Sequence, residues 1–123
     1  MARILIAEDD DIIRSLLVRA LSDDGHKLTA TADGAAALEA LNEHNGEFDL
    51  LLSDVKMPKV DGIDLAFAAG RGHPNIPIML MTGLADQRER ANGLDAFVHD
   101  IIVKPFSIEQ IKTAVREALL PRH

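Results

Sequence analysis

Five short apolar runs alternate with five stretches of helical periodicity along this chain, and that alternation restricts the fold more than any other feature of the sequence. Strand then helix, repeated, implies βαβ units and a parallel sheet covered on both faces. The runs are Arg3 to Ala7, Lys27 to Thr31, Leu50 to Ser53, Ile78 to Met81 and Ile101 to Val103. Four are almost continuously apolar and are expected to be central strands, whereas Leu28-Thr29-Ala30-Thr31 alternates and suits a half-exposed edge. A chain of 123 residues has the length of one domain around a single core. The expected fold class is therefore α/β, a doubly wound five-stranded parallel sheet, for which the expected order is the 2-1-3-4-5 of known sheets of this kind.

The helical stretches carry their own start and stop signals. The first follows Asp10-Asp11, whose side chains can cap free amides, and places Ile13, Leu16, Leu17, Ala20 and Leu21 on one face before stopping near Gly25. The second opens at Asp33-Gly34 and carries Ala37, Leu38 and Leu41; the third follows Asp61-Gly62 with Ile63, Ala66 and Ala69. The fourth, around Gln87 to Asn92, is short and so polar that it is expected to pack least firmly. The last begins with a capping box, Ser107-x-x-Gln110, and is expected to bury Ile108, Ile111, Val115 and Leu119.

Composition removes several classes of function. The net charge of −7 opposes nonspecific attraction to nucleic acid or to an anionic membrane, and four Phe with no Tyr or Trp give no platform for stacking bases. No cysteine is present, so disulfides and thiolate metal sites are excluded. No apolar segment is long enough to span a bilayer or to act as a signal peptide, which points to the cytoplasm and to a protein or small-molecule partner.

Chemistry collects at the ends of the predicted strands, where parallel α/β sheets bind ligands. The first strand runs into Glu8-Asp9-Asp10-Asp11, and helix capping accounts for Asp10 and Asp11 but not for Glu8 and Asp9. Converging carboxylates repel unless a cation neutralises them, and oxygen ligands favour Mg²⁺ or another hard cation. The third strand delivers Asp54 to its exit, beside the first strand in the expected order, so Asp9 and Asp54 become neighbours. The fourth ends in Thr82-Gly83, a hydroxyl and a small residue whose amide can approach an anion, and the fifth in Lys104-Pro105-Phe106. Carboxylates, hydroxyl, amide and lysine together form a set able to handle a phosphoryl group.

The acidic pair, Asp54-x-x-Met57-Pro58-x-x-Asp61-Gly62, Thr82-Gly83 and Lys104-Pro105-Phe106 resemble the receiver domain of two-component response regulators, over essentially the whole chain. The resemblance implies the flavodoxin-like receiver fold, (βα)5, with Asp54 as phosphoacceptor and no conventional enzyme activity beyond self-catalysed phosphotransfer and dephosphorylation. It implies Glu8, Asp9, Asp54 and the Lys56 main-chain carbonyl as the Mg²⁺ site. Thr82, the Gly83 amide and Lys104 are implied as phosphoryl contacts, with a cis peptide between Lys104 and Pro105. The implied partners are a histidine kinase or histidine phosphotransfer protein and a downstream protein target. The implied state is a monomer or a weak dimer through the fourth helix, fifth strand and fifth helix.

With no output domain expected within 1–123, the chain is also similar to stand-alone receivers of the CpdR type, adaptors for regulated proteolysis. One departure matters: the place of the inward-swinging aromatic of many receivers falls on Ile101, so the usual Thr-aromatic switch is not expected and readout is assigned to Ala85 to Asn92. His99 reads as a surface residue, and His26, His44, His73 and His123 have no metal spacing. Two rivals share parts of the pattern. A haloacid-dehalogenase-like phosphatase wants a second acid where Lys56 stands, and a flavodoxin-like cofactor binder wants a phosphate loop where Glu8-Asp9-Asp10 stands.

Overall fold

Period-two alternation sorts each buried strand into two faces, and the two sets of residues build separate core layers. The computed structural model describes residues 2–43, 47–57, 59–83 and 98–120. In chain order the described elements are β1 (Arg3–Ala7), α1 (Asp11–Asp23), β2 (Lys27–Thr31), α2 (Gly34–Glu43), β3 (Leu50–Asp54), α3 (Gly62–Gly72), β4 (Ile78–Thr82), β5 (Asp100–Val103) and α4 (Ile108–Ala118). The five strands form one parallel sheet in the order β2-β1-β3-β4-β5. Leu5, Ala7, Leu51, Val55, Ile78 and Leu80 pack against α2 and α3, while Ile4, Ile6, Leu50, Leu52, Met79 and Met81 pack against α1 and α4. Each fully buried aliphatic side chain of this kind contributes about 1.5–3 kcal/mol.

The helix starts follow the sequence signals. Asp10 accepts from the amides of Ile12 and Ile13, Asp61 from those of Ile63 and Asp64, and Ser107 with Gln110 forms the complete capping box. After α1 the chain reverses at Gly25, whose φ of 89° lies in the left-handed region.

Two other glycines are required by close approach. A Cβ on Gly62 would lie 2.0 Å from the Asp54 carbonyl oxygen, and one on Gly34 would lie 2.0 Å from that of Val60. The segment that leaves β3 is thus pressed, main chain on main chain, against the starts of both α3 and α2. Lys59 in that segment has φ 69°, a conformation unfavourable for a residue with a side chain, and its Nζ lies 3.5 Å from Asp33.

Three expectations are corrected. β5 occupies the edge that the expected order gives it, and its residues are half-buried or exposed, so its apolar run does not mark a buried central strand. Apolar content reports how helices cover a strand's faces; it does not report how many strands flank it. Leu16 and Ile108 are both 43% exposed, so the buried stripe of α1 narrows to Leu17, Ala20 and Leu21, and that of α4 to Ile111, Val115 and Ala118. β3 and β4 each run one residue further than their apolar runs, so Asp54 and Thr82 are the last residues of their strands. The expected helix around Gln87 to Asn92, and the readout segment from Ala85, lie outside the described residues. Among the described residues, no helix is long and apolar enough to cross a membrane.

Candidate functional site

The carboxyl edge of the sheet is where β1, β3 and β5 release their polar residues. Ala7 pairs with Ser53, so the next residues of both strands, Glu8 and Asp54, emerge side by side. Glu8 is fully buried and Asp54 only 8% exposed, whereas Asp9 is exposed. One ligand oxygen from each of Glu8, Asp9 and Asp54 lies within 4.8 Å of the others. Mutual repulsion makes such a trio costly without a positive partner.

Lys104, just past β5, supplies one. Its Nζ donates to Glu8 Oε1 at 2.7 Å and to Asp54 Oδ2 at 3.0 Å. Three strands therefore converge through one ammonium. Burial pushes the Glu8 carboxyl above its ordinary range, outweighing the Lys104 and Asp10 hydrogen bonds that pull it down; the nearby Asp54 charge adds to the rise. Burial also works against the Lys104 ammonium, but its bonds to Glu8 and Asp54 prevail and hold it above the ordinary lysine value of 10.5. The asymmetry follows from exposure, since the Lys104 side chain keeps 20% of its surface in solvent and Glu8 keeps none.

Lys104 is otherwise tied to the sheet by its own amide, which donates to the Thr82 carbonyl at 2.7 Å, and its bond to Pro105 is cis, as the resemblance implied. Thr82 is buried at the end of β4, one residue past the Met81 that pairs with Asp54, and Gly83 follows it exposed to solvent. The Lys56 side chain is exposed in the segment after β3. Ile101 pairs with Leu80 and packs, half-buried, against the α2–α3 side of the core. All of the anticipated site residues except Ile101 thus stand at or just beyond the carboxyl edge, with Glu8, Asp9, Asp54 and Lys104 in one cluster.

The donor set fits a hard divalent cation. All three candidate ligands are carboxylates, their spacing lets one ion reach them together, and the exposed Asp9 leaves an open approach. One ammonium against three carboxylates also leaves room for further positive charge.

Two supporting contacts are not evident in the sequence. Arg14 reaches back from α1 so that Nη1 donates to the Glu8 main-chain carbonyl at 2.9 Å, and Ser53 Oγ donates to the Asp54 carbonyl at 2.9 Å. A side chain bonded to a distant main-chain oxygen leaves no mark in residue type or spacing.

Comparison with known proteins agrees with this geometry. A model of the family described as response regulator receiver domain matches residues 4–116. The chain is 37% identical over 120 residues to the response regulator receiver protein CpdR of Brucella abortus, covering 98% of both chains. It is 36% identical over 118 residues to the sensor kinase CckA of the same organism, covering 96% of this chain but 12% of the kinase. Several curated relatives are thus much longer than the region shared with them. Among solved structures, the receiver domain of the hybrid histidine kinase CckA superposes with a TM-score of 0.81 at 33% identity, covering 96% of this chain and 99% of that one.

Proposed function

Since this chain belongs to the response regulator receiver domain family of two-component signalling proteins, we propose that Asp54 is its phosphoacceptor and that it works as a single-domain regulator in a phosphorelay. The observation that carries the reading is the Lys104 ammonium joining Glu8 and Asp54 at the carboxyl edge of the sheet. An Asp54 oxygen attacks the phosphorus of a phosphohistidine on a kinase or phosphotransfer protein. The phosphorus–nitrogen bond breaks, its electron pair returns to the imidazole, and an acyl phosphate remains on Asp54.

Asp9, Asp54 and the Lys56 main-chain carbonyl would hold Mg²⁺, with Glu8 acting through water. Once bound, the ion neutralises charge on the phosphoryl oxygens. Lys104 then exchanges part of its bond to Asp54 for a phosphoryl oxygen, and Thr82 Oγ and the Gly83 amide take others. These contacts favour one conformer of the domain, so phosphorylation shifts a population that a downstream protein reads. The similarity to CpdR along nearly its full length supports an adaptor or phosphotransfer role through protein contacts.

Incubation with a small-molecule phosphodonor and Mg²⁺ should add one phosphoryl group, mapped to Asp54 by mass spectrometry after borohydride reduction. Asp54→Asn should keep the fold, judged by circular dichroism, and take up none. Persistent labelling of a single other residue would remove Asp54 from this role.

A further inference from the structure

Arg14 belongs to α1 (Asp11–Asp23), yet its guanidinium is committed to the strand before that helix. Nη1 donates to the main-chain carbonyl of Glu8 at 2.9 Å, and Nη2 pairs with the Asp11 carboxylate. The reason a donor is wanted lies in the ladder. The Glu8 amide donates to the Thr31 carbonyl at 3.0 Å, so the Glu8 carbonyl faces the same neighbour, but β2 ends at Thr31. A carbonyl at a largely buried strand end that runs past its partner strand needs a donor from elsewhere, and Arg14 provides it.

The consequence falls on Asp9. Among the described residues, no hydrogen bond holds the exposed Asp9 side chain, so the main chain, by placing its Cα and Cβ, decides whether its carboxylate can reach Asp54. The Glu8–Asp9 peptide includes the carbonyl that Arg14 grips. On its other side, the Asp10 amide donates to Glu8 Oε2 at 3.1 Å, and Lys104 holds Glu8 Oε1. Glu8 is therefore bonded at its amide, its carbonyl and both carboxylate oxygens, and the carbonyl bond is the one that orients the next residue.

We propose that Arg14 is a positioning residue for the acidic end of β1: by fixing the Glu8–Asp9 peptide it aims the Asp9 carboxylate at Asp54. The proposal rests on the reading in which Glu8, Asp9 and Asp54 serve a Mg²⁺ site. Arg14 touches neither metal nor phosphoryl group; it acts through the peptide plane. Three possible roles separate by the sign of one measurement. A positioning role means that losing the guanidinium weakens cation binding, by about tenfold as for other partners that orient metal ligands. A role purely as local positive charge predicts the opposite, since removing a cation beside carboxylates strengthens Mg²⁺ binding. A role only in packing lowers the melting temperature and leaves the affinity of the folded protein unchanged.

The experiment is calorimetric titration of the full chain with MgCl₂, with melting followed separately without metal, for wild type, Arg14→Met, Arg14→Lys and Asp9→Asn. Arg14→Met should bind Mg²⁺ about tenfold more weakly than wild type, and Arg14→Lys, which keeps one donor, should recover part of the loss. If Arg14→Met does not fold, a weakened affinity in Arg14→Lys carries the test. Unchanged or tighter Mg²⁺ binding in the folded variants overturns the proposal. Failure of the underlying reading appears elsewhere, as wild-type protein whose Mg²⁺ binding is absent or indifferent to Asp9→Asn; that result removes both.

Discussion

The two halves of the sheet's carboxyl edge are built to different tolerances. On the β1–β3 half, Glu8 and Asp54 are buried, four polar atoms of Glu8 are engaged, and the Asp54 carbonyl lies hard against the Gly62 Cα. On the β4–β5 half, β4 is fully buried, but a Cβ on Gly83 would meet nothing within 4 Å among the described residues, Ile101 and Ile102 are half-buried, and Val103 is exposed at the sheet's rim. Both halves come from similar apolar runs, so the difference arises from position in the sheet and not from strand propensity. The lesson is a division of labour: the carboxylates that must meet sit where close packing holds them, and the edge strand β5, beyond the fully buried β4, is less enclosed. Lys104 is the element that joins the two.

The sharpest way to break this comparison is a pair of matched glycine substitutions. Gly62→Ala forces a Cβ against main-chain atoms of Asp54 and Val55 that cannot rotate away, and should cost about 3 kcal/mol or more in urea denaturation. Gly83→Ala meets nothing within 4 Å among the described residues and should change stability by less than about 0.5 kcal/mol. Similar losses for the two would erase the proposed contrast.

A smaller effect is expected from cutting the link between the halves. Lys104→Met leaves Glu8 buried beside Asp54 with no cation, and should cost about 2 kcal/mol at neutral pH without metal, below the usual figure for a fully buried pair because Lys104 is partly exposed. The sign with pH follows from the shifts. Glu8 already binds its proton more readily folded than unfolded, and losing the lysine raises its pKa further, so acidification through that raised pKa should shrink the deficit. In wild type the contribution of Lys104 is complete below its unfolded value near 10.5 and disappears as pH rises through its higher folded value. A deficit that grows toward acid would show that the bridge is not its source.

The smallest effect should come from a tie remote from both halves. Arg116 of α4 donates two hydrogen bonds, at 2.8 and 2.6 Å, to Asp24 at the end of α1, and these hold the Asp24 carboxyl below its ordinary range. Its contribution is present above the unfolded Asp24 value and is lost as pH falls through the lower folded one. Arg116→Gln should therefore lie slightly below wild type near neutrality and converge with it as the pH falls, which flattens the acid limb of the stability profile. A change at the site, read as altered Mg²⁺ affinity, would contradict the separation.

The parallel sheet could be read from the sequence because alternation demands βαβ units, and the known five-stranded doubly wound order, once adopted, set which strand ends adjoin and so brought Asp9 to Asp54. The caps at Asp10, Asp61 and Ser107 were legible because they are local, with donor and acceptor within three residues. What escaped is tertiary. The partial exposure of β5, the exposure of Leu16 and Ile108, and the bonds of Arg14 and Ser53 to main-chain oxygens depend on what lies opposite, which periodicity does not encode.

The bare contacts of Gly62 on Asp54 and Gly34 on Val60 bear on how this domain can be recombined. The stretch from residue 54 to 62 cannot be exchanged as a self-contained cassette, because one of its grips is on a residue of α2, twenty positions before it begins. A chimaera that imports a foreign loop here inherits a demand for a residue without a side chain at position 34.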